Sequence, residues 1–147
     1  MRDRFVHVLL LAVALAGSGA PARAGDMPPL ELIDSNLIET PYTAHVRIDS
    51  IDTAKDGAGG YVTFHVHATV AETFKGQARP QVDYFETHDA PSAGPQPGSD
   101  IVISLEKLDD GNYAVPDNGY VFPATRAVLE RARRAGKAIT RSSRRQR

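Results

Sequence analysis

The chain has 147 residues, no cysteine and a formal net charge of −1, which excludes a disulfide framework, a lipid anchor on cysteine and a cysteine nucleophile, and leaves stability to a packed core. The near-neutral total hides a division: residues 25–125 hold 16 Asp and Glu against 5 Lys and Arg, net −11, whereas residues 126–147 hold 9 Lys and Arg against Glu130 alone, net +8. An acidic body repels nucleic acid and anionic lipid, while a basic end attracts both.

Met1 to Ala24 reads as a cleavable secretory signal peptide. Arg2 and Arg4 precede an apolar run from Phe5 to Ala16, and small or turn-forming residues lead to Ala22-Arg23-Ala24, the order of a signal-peptidase substrate. The apolar run is shorter than the roughly 20 residues that cross a bilayer. This order predicts a periplasmic or secreted protein, cut near Ala24, with no transmembrane segment.

Residues 25–41, with Pro28-Pro29, are expected to form an extended lead-in. From Tyr42 the pattern acquires period 2: Ala44, Val46 and Ile48 alternate with His45, Arg47 and Asp49, as in a strand covered on one face. A loop at Lys55 to Gly60 follows. Val62, Phe64, Val66, Ala68 and Val70 then alternate with Tyr61, Thr63, His65, His67 and Thr69, a second strand expected to form a hairpin with the first. Val82 to Thr87 reads as a third strand, and Asp89 to Ser99, rich in Pro and Gly, as an exposed loop. Ile101 to Leu105 suits a buried strand. A turn at Asp109 to Asn112 leads to a last strand or hairpin, which begins at Tyr113 and resumes around Tyr120 to Phe122. Beyond Pro123, Val128, Leu129, Ala132 and Ala135 share one side of a helix with arginines opposite.

The fold class is therefore mainly β, a small antiparallel OB-like barrel of about five strands with a C-terminal α-helix. The barrel domain is expected over 42–122, the helix over 123–139 and a basic tail without fixed structure over 140–147. Phe74 is expected to continue the inward alternation of Val66, Ala68 and Val70, with Gly76 turning the chain to close the barrel.

Val70-Ala71-Glu72-Thr73-Phe74-Lys75-Gly76, then Ile101 to Leu105 and Asp110-Gly111-Asn112-Tyr113, resemble the bacterial exported domains of the TIMP-like, or netrin-like, OB-fold superfamily. The resemblance spans Tyr42 to Asn118 and implies an OB barrel. The metalloproteinase inhibitors of that superfamily chelate their target's zinc through an N-terminal cysteine. This chain has none, so that mechanism does not carry over, and the resemblance implies no catalytic set.

His65 and His67 lie two residues apart on one strand, so their rings project from one side. In a hairpin symmetric about residue 56, His45 lies opposite His67, and the three imidazoles form a candidate site for a transition-metal ion, with Asp49 or Glu72 as a further donor. The alternative is an ordinary histidine-bearing strand surface. Glu86, His88 and Asp89 could act as an acid/base group, but loop composition accounts for them equally, and nucleophile-elbow, zinc-protease and phosphate-loop motifs are all missing. No catalytic residue and no organic cofactor are assigned. The expected function is a non-catalytic binding module for an unidentified protein or small cationic ligand, through Tyr61, Thr63, His65, His67 and the Asp89 to Ser99 loop. The alternatives are a metal-binding protein and association with an anionic envelope surface through the basic tail. That tail lacks aromatic residues, so specific nucleic-acid binding is not expected.

Overall fold

The computed structural model describes residues 27–57 and 59–145, with the side chains of all these except 53–57. The signal-peptide reading of Met1 to Ala24 falls outside the described residues. The first element is α1, Leu32–Glu39, where the sequence reading expects extended chain. Ile33 and Leu37, four residues apart, are buried together with Asn36, so one apolar stripe seats the helix. The Thr40 amide and hydroxyl both donate to the Asn36 carbonyl, and Pro41 prevents a further turn. Short length and the preceding prolines hid this 3.6-residue period.

Six strands follow: β1 Tyr42–Gly57, β2 Tyr61–Lys75, β3 Gln81–Asp89, β4 Asp100–Lys107, β5 Tyr113–Ala114 and β6 Val121–Pro123. Five pair in a ring, in the order β1, β2, β3, β5, β4 and back to β1. All pairs are antiparallel except β3 with β5, which meet in parallel at Phe85 and Ala114. β6 adds to β4 at Ile101–Ile103, while β5 pairs with the opposite end of that strand. The last helix, α2, spans Arg126–Arg145. A mainly β, ring-closed fold with a C-terminal helix is what the alternation in the sequence led us to expect.

Two apolar clusters divide the molecule. Tyr42, Ala44, Val46, Ile48, Phe64, Val66, Ala68, Val82, Tyr84, Ile103 and Leu105 are among those filling the ring, each large side chain contributing about 1.5–3 kcal/mol by leaving water. Ile33, Leu37, Val102, Phe122, Val128 and Ala132 form a second layer between the helices and the outside of the sheet. Phe74 belongs to this second cluster, not to the barrel interior. The cause is a register shift: Val70 pairs with Val46 but Glu72 with His45 and Thr73 with Ala44, so one extra residue in β2 reverses which side chains face inward.

α2 also differs from expectation, running six residues past 139. Gly136 does not end it. A Cβ there would lie 2.6 Å from the Phe74 carbonyl oxygen, so glycine lets the helix backbone rest on the end of β2. The last turns need no apolar residue, since arginine is a good helix former and the Ser142 and Ser143 hydroxyls bond the carbonyls four residues back.

Candidate functional site

The helices cover one side of the ring and leave the outer face of β1, β2 and the start of β3 open. On that face Tyr61, Thr63, His65 and His67 of β2 project outward, with Tyr61 54 % exposed. The register sets Thr63 beside Thr87, His65 beside Phe85 and His67 beside Asp83. The Thr63 and Thr87 hydroxyls are 2.8 Å apart. The His65 ring stacks on Phe85 at 4.7 Å and meets the His67 ring edge-on at 4.4 Å.

On the other flank the hairpin is longer than the sequence reading supposed. β1 continues to Gly57 and the chain reverses at Gly59-Gly60, both with positive φ, a conformation that glycine adopts without penalty. His67 therefore pairs with Ser50, His65 with Asp52, and His45 with Glu72. A hairpin symmetric about residue 56, with His45 opposite His67, is not what forms. His45 lies away from the other two, its Nε2 3.5 Å from Asp100 Oδ1 without hydrogen-bond geometry.

Ser50 takes the position opposite His67 that was assigned to His45, and Asp52, opposite His65, is the β1 residue that reaches both rings. One ligand atom each from Asp52, His65 and His67 lies within 4.8 Å of the others. His67 is held from both sides: Nδ1 is 2.7 Å from Asp83 Oδ1 and Nε2 is 3.0 Å from Asp52 Oδ2. Hydrogen bonds to Asp52 and then Asp83 raise the His67 pKa above its ordinary value, because both carboxylates favour the imidazolium. Asp49, the other suggested oxygen donor, instead accepts from the Thr69 hydroxyl at 2.7 Å. Glu72 is held by Arg133 of α2 at 2.7–3.0 Å.

The structure thus brings together two of the three histidines and supplies carboxylates missed in the sequence. Asp83 and Phe85 were discoverable, since they occupy the outward positions of a strand already read as 82–87. Asp52 was not, because it lay beyond the clear alternation of the first strand.

Of Glu86, His88 and Asp89, the first two pair and Asp89 stands apart. Glu86 is buried, its Oε1 2.8 Å from His88 Nε2 and its Oε2 without a partner. Burial raises the Glu86 pKa, with His88 opposing, and it also raises that of Tyr84, whose hydroxyl is likewise unpartnered. Asp89 is exposed and pairs with Tyr61 in the register. The Asp89 to Ser99 loop folds against the ring rather than the open face: a Cβ at Gly94 would lie 2.7 Å from the Phe64 ring. No helix among the described residues is long and apolar enough to cross a membrane. No family model matches the chain and no curated protein proves similar to it, so the open face and its histidines carry the functional reading.

Proposed function

We propose that this is an exported, non-catalytic binding module on an OB-type barrel, and that its open face holds a divalent transition-metal ion through Asp52, His65 and His67. The observation that carries this reading is the approach of those three ligand atoms to within 4.8 Å on an uncovered sheet face. Two imidazoles and one carboxylate suit zinc, copper or nickel. A tetrahedral zinc with bonds of about 2.0–2.1 Å needs its ligands closer than this, and rotation of the exposed Asp52 side chain supplies the movement.

Asp83 has a supporting role. By accepting from His67 Nδ1 it fixes the ring with Nε2 turned toward Asp52, the outer-shell arrangement that orients and strengthens a histidine ligand. Phe85 holds His65 by stacking. Asp52, His65 and His67 would hold the ion, with His67 Nε2 giving up its proton to bind it, on a sheet face that a partner could reach. The order of the ring-paired strands and the C-terminal helix packed with α1 on the outside of the sheet support the OB-type assignment and the TIMP-like resemblance; the Arg2 to Ala24 pattern supports export.

The test is calorimetric titration of the untagged protein with zinc, copper and nickel. One-to-one saturable binding that is lost in His65→Ala, His67→Ala and Asp52→Asn, and retained in His45→Ala, is the expected result. Equal binding by all four variants would refute the site, as would no binding to the unmodified protein.

A further inference from the structure

α2 crosses the end of β2 and leaves a groove of about 430 Å³ whose lining includes Thr73, Phe74, Arg133, Lys137, Arg141 and Arg144. The sequence reading puts Arg133 and Lys137 on the expected helix of 123–139 and leaves Arg141 and Arg144 in a basic tail without fixed structure. Folded, it becomes the wall of a cavity. The volume falls within the roughly 300–1,000 Å³ of small-ligand sites.

The cations on α2 divide into those with a carboxylate partner and those without. Arg126 is paired with Glu130, Arg131 with Asp34 and Arg133 with Glu72. Glu72 is the one acidic group lining the groove, and Arg133 satisfies both its oxygens. Lys137, Arg141 and Arg144 in the groove, like Arg134 and Arg145 outside it, have no carboxylate within ion-pair distance among the described residues, although the body of the chain is strongly acidic; what sets the first three apart is that they line the groove. These three recur at spacings of four and three, so they share a helix face.

Like charges at that spacing destabilise a helix by a few tenths of a kcal/mol per pair. Attraction to the helix C-terminus explains Arg144 in the last turn. It does not explain Lys137, two turns earlier, because the dipole acts only within the final turn. Counting Arg133, Lys137, Arg141 and Arg144 against Glu72, the groove carries a net charge of +3.

We propose that this groove binds a phosphate-bearing anion. The guanidinium forks of Arg141 and Arg144 match phosphate oxygens in pairs and Lys137 adds a point charge, while Phe74 and Gly136 form an apolar floor. The space exceeds one phosphate, which suits a pyrophosphate-sized group or a phospholipid headgroup with part of its glycerol.

The experiment has two arms, both at low ionic strength. Calorimetric titration with inorganic pyrophosphate tests a free ligand, and co-sedimentation with phosphatidylglycerol against phosphatidylcholine vesicles tests a headgroup. Lys137→Gln/Arg141→Gln removes two charges from the groove. Arg134→Gln/Arg145→Gln removes two from outside it, and circular dichroism checks that both fold. Binding in either arm that is weakened about tenfold by the first variant, and little changed by the second, supports the site and identifies the source. No binding in either arm overturns it. An equal loss in both variants also overturns it, because attraction would then follow total charge rather than the groove.

Discussion

The two halves of β2 have different fates. From Tyr61 to Thr69 its outward side chains meet water and one another; from Glu72 to Phe74 they meet α2. One extra residue after Val70 separates the two regimes. The comparison teaches that one strand is given to buried packing at one end and to exposed polar geometry at the other.

The sharpest way to break that division is to attack the packed end. Phe122→Ala, which empties the layer under the helices, is expected to cost about 3–5 kcal/mol in chemical denaturation while leaving metal affinity unchanged among molecules that remain folded. Gly136→Val forces a branched side chain against the Phe74 carbonyl and should cost about 1–3 kcal/mol, weakening the anion groove more than the metal site.

The ring interior contributes a pH effect. Glu86 has a raised pKa in the fold because it is buried, so it stays protonated there while its unfolded counterpart ionises. Its contribution is complete below the ordinary value of 4.5 and is lost as pH rises through the folded value. Glu86→Gln removes that decline, measurable as a flatter curve of denaturation midpoint against pH.

Arg133→Gln, at an exposed pair, should cost no more than about 1 kcal/mol, and less in salt. The smallest effect on stability is expected of His65→Ala on the open face, within about 0.5 kcal/mol, although the same change should abolish the proposed metal binding. A large stability loss there would show that the open face is part of the core after all.

Much of this division is legible in the sequence, and the illegible part has a physical cause. Alternation over Tyr61 to Val70 identifies the strand and sets His65 and His67 on its outer side, because side-chain direction has a period of 2. Which β1 residue stands opposite them depends on the turn, and extension of β1 to Gly57 replaces His45 by Asp52. Phe74 was misread for a related reason: a bulge shifts the pattern by one residue, and apolarity alone does not distinguish the interior from the helix layer. α1 escaped because eight residues give its period too few repeats.

Phe85 joins two parts of the molecule. Its ring supports His65, while its backbone closes the ring of strands, pairing with Ala114 and accepting from the Val115 amide at 2.9 Å. With a closure this short, the ring of strands is expected to open first at this seam, since local opening follows the fewest hydrogen bonds. The amide of Val115 is therefore a candidate gauge of the proposed site: a metal ion that steadies His65 and Phe85 is expected to slow hydrogen exchange there, across the seam from the open face.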